Sequence, residues 1–304
     1  MKVFVTGAAG HVGSALIPKL VASGHQVTGL IRSPSSIAKL ESLGAKPVQG
    51  DLTDLETIAK ASKDADIVVH LAFDHGMAFG GDFAGACEKD RKVIEAICNA
   101  LLSSNSGGEK KRFILASGTL GLPPGGNEES EGHRSPQLPR HLSTDLAFSY
   151  APKGLSVIAL RLAPVTYGPA EPHSFLKQQI AQIEEKGYVA YPDSDNAWGA
   201  CTIEDVADLF LRAVEIAPGK LPNPATLHGL AESVPLKDVA EVLGRRLGKE
   251  TKVIPKEKLA EELGFVGVLQ SMAYQASAEW TKEQTGWKPK GKRLLEQLEL
   301  YEIA

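Results

Sequence analysis

The chain has 304 residues, 43% apolar and 23% charged, the composition of a soluble globular protein with room for about two domains of roughly 150 residues each. Thirty-three basic against 37 acidic side chains leave a formal net charge of -4, so no cationic excess is available to displace counterions from a nucleic acid. The three cysteines, Cys87, Cys98 and Cys201, are odd in number and widely spaced, and no His/Cys cluster has metal-ligand spacing. The expectation is therefore a protein without disulfides, metal or membrane segment, working in the reducing cytoplasm.

Taken in order, Val3-Phe4-Val5 reads as a first strand, and Val12, Leu16 and Leu20 recur behind it at helical spacing. Pro18 falls inside that helix and predicts a local irregularity. Strands follow at 26–31, 46–49, 66–70 and 112–116, with helices at 36–43 and 82–102 between them. His70 sits in an apolar strand and reads as a core histidine. Residues 76–81 read as a glycine-rich loop able to flex over a substrate, with Met77 and Phe79 as an apolar wall. The segment 118–139, rich in Gly, Pro, Ser and Glu, reads as a long loop of the kind that carries function. A helix at 140–150 and a strand at 156–162 complete this half. Beyond Gly168 the pattern loosens into helices at 174–186, 203–217, 236–247 and 294–301, with short strands at 188–191, 226–230 and 252–254.

Strands alternating with helices predict an α/β protein, a Rossmann-type doubly wound parallel sheet with a small C-terminal α+β substrate lobe. The predicted boundaries are 1–168 for a dinucleotide-binding domain and 169–304 for a lobe partly interleaved with its sheet. The sharpest local signal is Thr6-Gly7-Ala8-Ala9-Gly10-His11-Val12-Gly13, between the first strand and the first helix. Glycines let the backbone approach a pyrophosphate, and the free N–H groups of the helix start receive it. Gly7, Ala9, Gly10, His11, Val12 and Gly13 are thus candidate cofactor contacts, although the GxxGxxG spacing differs from GxGxxG. After the second strand, where a carboxylate would bind a ribose 2′-hydroxyl, the chain has Arg32 and Ser33, which suit the 2′-phosphate of NADP(H).

With these residues in view, the chain resembles the extended or atypical short-chain dehydrogenase/reductase superfamily, in its NAD-dependent epimerase/dehydratase-like branch. The landmarks are TGAAGHVG at 6–13, GDLTD at 50–54, VVHLAF at 68–73, FILASG at 113–118 and RLAPVTYGP at 161–169, with IEDVADLFLRAVE at 203–215 and TGWKP at 285–289. The resemblance implies that Asp51 and Leu52 border the adenine, that Leu71, Ala72 and Phe73 line the dinucleotide, and that Pro164 and Val165 approach the nicotinamide.

The superfamily's Tyr-x-x-x-Lys pair is missing from the helix expected to carry it. Tyr150-Ala-Pro-Lys153 is one residue short and contains a proline, although Tyr150 itself stays a candidate. Aligning Asp145 with the usual acidic position puts Gln137 in the tyrosine slot and His141 in the lysine slot. Ser117 keeps the serine position, where it would hydrogen-bond a substrate oxygen. His141 is a candidate proton donor, and Arg140 a candidate carboxylate or oxyanion partner. The expected function is NADPH-dependent reduction of a small carbonyl-containing metabolite with an atypical proton donor. Two alternatives stay open: a non-redox isomerase, cyclase or lyase on the same fold, and a dinucleotide-sensing protein without turnover. The expected partner is a small-molecule substrate, with neither nucleic acid nor membrane; the oligomeric state cannot be read.

Overall fold

The structure, a computed structural model, describes residues 1–105, 110–120, 122, 139–168, 174–272 and 276–302. Most of the long segment 118–139, including Gln137, lies outside these residues.

Strand β1 (Lys2–Thr6) is β-branched and aromatic in its middle, and Val3, Phe4 and Val5 are all buried. Helix α1 (His11–Ala22) buries Leu16, Ile17 and Leu20 on one face. Contrary to expectation, α1 runs unbroken through Pro18, whose ring deprives the Ser14 carbonyl of a helical donor. The burial of three large aliphatic side chains, about 1.5–3 kcal/mol each, outweighs that single lost hydrogen bond. Next come β2 (Gln26–Ile31), α2 (Ile37–Ser42), β3 (Lys46–Gln49), α3 (Leu55–Asp64) and β4 (Ile67–His70). Helix α3 was not anticipated; the Asp54 carboxylate starts it by accepting the Thr57 N–H at 3.1 Å.

The expected glycine-rich loop is instead a short helix, α4 (His75–Phe79), because Asp74 caps it by accepting the Met77 N–H at 3.0 Å. The long helix α5 (Phe83–Ser103) leads to β5 (Arg112–Gly118), followed by α6 (Pro139–Phe148) and β6 (Ser156–Leu162). The remaining chain gives β7 (Val165–Tyr167), α7 (Ser174–Lys186), β8 (Tyr188–Pro192), β9 (Ala197–Thr202), α8 (Ile203–Glu215), β10 (Ala225–Gly229), β11 (Glu232–Pro235), α9 (Leu236–Leu247) and β12 (Glu250–Ile254). Four short helices close it: α10 (Leu259–Leu263), α11 (Phe265–Ser271), α12 (Glu279–Thr285) and α13 (Leu294–Leu300).

Seven parallel strands form the central sheet in the order β10-β6-β5-β4-β1-β2-β3, a doubly wound Rossmann arrangement. One face is covered by α1 and α8, with Leu16, Val206, Phe210 and Trp287 in its core. The other is covered by α3, α5 and α6, with Ile94, Ile97, Leu101, Phe113 and Phe148. Strand β10 joins this sheet from beyond residue 168, while β11-β9-β7 and β12-β8 form two small sheets around a separate core with Trp198 and Leu243.

Two polar ties hold the C-terminal part to the sheet. Arg112, at the start of β5, donates to the carbonyls of Ala213, Val214 and Ile216 at 2.8–2.9 Å and so caps the end of α8. Asp205, on α8, accepts the N–H groups of Lys290 and Gly291 at 2.8 Å, and its carbonyl accepts the Trp287 indole N–H at 2.8 Å. The TGWKP landmark is thereby joined to the IEDVADLF helix. Among the described residues no helix is long and apolar enough to cross a membrane. The three cysteines are buried and unpaired with one another, and burial pushes the Cys201 thiol well above its ordinary pKa.

Candidate active site

The carboxyl ends of β1, β4 and β5 meet where the strand order reverses, the place where open α/β sheets bind ligands. At the end of β1 the glycine turn folds back sharply. Gly7 has φ +67°, and a Cβ there would stand 2.9 Å from the Ala72 nitrogen. A Cβ on Gly13 would stand 2.4 Å from the Gly7 carbonyl oxygen and 2.6 Å from that of Ala8. The turn can pack this closely on itself and on the residues after β4 only as glycine. Gly10 precedes α1, whose first turn (His11, Val12, Gly13) carries no acidic side chain, leaving the helix start open to an anion. This turn fits the pyrophosphate of a dinucleotide.

Beside it, Arg32 and Ser33 are exposed at the end of β2. The Ser33 side chain accepts the Ser35 N–H at 3.4 Å, and the two serine hydroxyls lie 2.7 Å apart. Lys39, which sequence reasoning did not single out, donates from Nζ to the Ala9 carbonyl at 3.1 Å, so a second cation lies on the glycine turn. Asp51 accepts the Thr53 hydroxyl and N–H at 2.5 and 2.6 Å, and these bonds hold its carboxyl below the usual range. Leu52 packs against the core beneath β1 and β2. The Ala72 N–H donates to the Thr6 hydroxyl at 3.3 Å, next to Leu71 and Phe73.

Thr6 also begins a buried polar chain. Its Oγ1 lies 2.7 Å from His70 Nδ1, His70 Nε2 lies 3.1 Å from Asp90 Oδ1, and Asp90 Oδ2 lies 2.5 Å from Arg140 Nη1. A carboxylate only accepts, so His70 Nε2 donates its proton to Asp90. Burial alone would raise the Asp90 pKa; the Arg140 charge and the His70 hydrogen bond instead hold it far below the carboxylate range. Arg140 completes the chain by donating from Nη2 to the Ala116 carbonyl at 2.8 Å, with its guanidinium 4.3 Å from the centre of the Phe73 ring. Its position is thus set by β5, α5 and the segment after β4 together.

Ser117 follows Ala116 and is buried, with its hydroxyl 3.3 Å from that of Thr144 on α6. Arg140 thus touches β5 at the residue before Ser117. His141 is buried in the first turn of α6, three residues before Thr144. Tyr150 is not brought to this site. The chain turns after α6, the ring enters the core under α5, and the phenol donates to Asn99 Oδ1 at 3.0 Å. This placement corrects its candidacy as proton donor, and burial raises its pKa. Pro164 and Val165 are buried, and the Val165 side chain lies in the core of the C-terminal lobe, so any approach to a nicotinamide is through backbone. His70 is the buried, hydrogen-bonded core histidine that its apolar strand predicts, whereas Asp90, Thr144 and Lys39 escaped the sequence reading. Each is ordinary in its local context, and only the pairing of distant segments gives it a partner.

A family profile described as NAD(P)H-binding matches residues 7–215. An uncharacterized protein of Schizosaccharomyces pombe is 34% identical over 302 residues, covering 98% of each chain. The 4-hydroxy-2-methyl-3-oxo-4-farnesyl-3,4-dihydroquinoline-1-oxide ketoreductase of Stigmatella aurantiaca is 26% identical over 72% of this chain and 66% of its own. Among solved structures, MoeE5 in complex with UDP-glucuronic acid and NAD has the same fold, with a TM-score of 0.72 at 23% identity over 99% of this chain and 97% of that one. The glycine turn, the strand order and these matches agree: the chain belongs to the NAD(P)H-binding family.

Proposed function

We propose that this protein is an NADP(H)-dependent reductase of a small carbonyl-containing metabolite, in which Arg140 is the oxyanion partner in a site that lacks the superfamily's Tyr-x-x-x-Lys pair. The observation that carries the reading is the placement of Arg140, held by buried Asp90 and by the Ala116 carbonyl, next to Ser117. The glycine turn and the start of α1 would hold the pyrophosphate. Arg32, with Ser33 and Lys39, would hold the 2′-phosphate, since this end of β2 offers two cations and hydroxyls where an NAD site has a carboxylate. When bound, NADPH supplies the two electrons and the hydrogen that a carbonyl carbon needs to become an alcohol.

The chain's own residues do the rest. Ser117, backed by the Thr144 hydroxyl, donates a hydrogen bond to the carbonyl oxygen. Arg140 stabilises the negative charge that grows on that oxygen, an oxyanion role which a permanently charged, preorganised guanidinium performs without reorganisation. His141, one helical turn before Thr144, is the residue we assign as proton source. The Stigmatella relative is a ketoreductase, which supports this chemistry.

The test is a pair of measurements. NADPH and NADH oxidation are followed with a panel of ketones, aldehydes and 3-oxo esters, and NADP+ and NAD+ affinities are measured for wild type, Arg32→Ala and Lys39→Ala. Turnover with NADPH and a selective loss of NADP+ affinity are expected. Failure of every carbonyl compound to support NADPH oxidation would overturn the reductase assignment; equal losses for both dinucleotides would overturn the 2′-phosphate assignment.

A further inference from the structure

A line of rings leads away from Arg140. Phe73, whose face carries the guanidinium, lies 5.3 Å from His75 and 6.2 Å from Phe83, centroid to centroid. His75 is 5.6 Å from Phe79, Phe79 is 5.5 Å from Phe265, and Phe265 is 6.1 Å from Phe175. The line starts after β4, passes along α4, and crosses to α11 and α7 on the C-terminal side. Phe79, Phe83 and Phe265 are 40%, 36% and 44% exposed, and they are the only exposed large aromatic side chains among the described residues. An aromatic ring in water is ordinarily an unfavourable use of apolar surface, so three on one line mark a binding surface.

The exposure of Phe265 is built into α11. Its other face buries Val266, Leu269 and Gln270, and a Cβ on Gly267 would stand 1.8 Å from the Leu259 carbonyl oxygen, so only glycine allows α11 to lie so close to α10. Phe265 and Val268, at i and i+3, are left on the open side. Asp74, which caps α4, is paired with Lys89 at 2.6 Å.

We infer that this aromatic line is the wall of the substrate cleft and that the substrate is a ketone or 3-oxo acid derivative with an aryl or extended alkyl body. The reacting carbonyl lies at Arg140 and Ser117, and the apolar body lies along Phe73, Phe79 and Phe265. Continuity chooses this occupant over a protein partner: the line begins on the ring that carries Arg140. A nucleotide-sugar substrate would need its polar body matched by donors and charges, and this wall offers rings.

The inference rests on the reductase reading, and the experiment separates the two. Turnover and KM are measured with NADPH for 4-phenyl-2-butanone, 2-octanone and acetone, using wild type, Phe79→Ser and Phe265→Ser. Binding of 4-phenyl-2-butanone to the NADP+-loaded protein is measured by calorimetry, and association state by sedimentation. Both positions are exposed, so folding is expected to be unaffected. Each substitution should raise KM and Kd for the two larger ketones about fivefold to tenfold, with acetone and NADP+ affinity unchanged. Equal effects on acetone, or no effect on the larger ketones, would overturn the inference. A wild-type dimer dissociated by Phe265→Ser would also overturn it, assigning the rings to a second copy of the chain. If no ketone is reduced but 4-phenyl-2-butanone still binds and Phe265→Ser weakens it, the reductase reading fails and the cleft assignment stands.

Discussion

Replacing Asp90 tests the polar chain that positions Arg140. Asp90 is 1% exposed and the Arg140 side chain 18%, so Asp90→Ala leaves a largely desolvated guanidinium and the His70 N–H without their anionic partner. Removing one member of a buried pair costs about 3–5 kcal/mol; Arg140 keeps the Ala116 carbonyl and some contact with water, which places the expected loss near 3 kcal/mol. For a chain of this size that is a fall in Tm of roughly 5 °C, read by circular dichroism at pH 7. The pH dependence has a definite sign. The folded carboxyl titrates below its ordinary 3.8, so its contribution is complete above that value and is lost as pH falls through the folded pKa. The gap between wild type and Asp90→Ala should be widest at neutral pH and narrow below about pH 4. The double variant Asp90→Leu/Arg140→Met, which removes both charges, should lie closer to wild type in stability while losing turnover. A loss under about 1 kcal/mol, or a gap that widens on acidification, would refute the buried ion pair as the support of Arg140.

Other outcomes follow from single contacts. Gly13→Ala should weaken NADP+ binding at least about tenfold in a fluorescence titration, because the new Cβ meets backbone at 2.4 and 2.6 Å and no side chain can yield. An affinity within twofold of wild type would remove Gly13 from the turn's function. His228 accepts from Arg161 through Nε2 and donates from Nδ1 to the Ser277 carbonyl; burial, then the Arg161 charge, lower its pKa to about 3. Its neutral form therefore favours folding fully above pH 6.5, and that contribution falls as pH drops from 6.5 toward 3, by several kcal/mol at about 1.36 kcal/mol per unit. In urea unfolding, His228→Asn should flatten this slope; an unchanged slope would assign the acid sensitivity elsewhere. Trp287→Ala should cost about 3–5 kcal/mol, since the ring is 1% exposed and its N–H joins the closing segment to α8.

What the sequence determined by itself is what short stretches of chain encode. Alternating strand and helix patterns specify a doubly wound parallel sheet, because apolar periodicity is a local property and a parallel strand needs a crossover to follow it. The glycine spacing at 7, 10 and 13 specifies the anion turn, because each glycine answers a contact within the turn or with the strand beside it. Lobe elements such as β9, β11 and α11 were illegible because their patterns are short and their faces are defined by other short elements. The candidate site belongs to the tertiary structure. Glu88, Lys89, Asp90, Arg91 and Lys92 form a charged run on α5 in which only Asp90 is buried, because only it meets His70 from β4 and Arg140 from α6. Tyr150 shows the converse: a plausible donor in sequence is turned into the core by the exit from α6. Titratable groups acquire their function from the charges and the desolvation around them, and at this site those come from segments 20 to 64 residues apart.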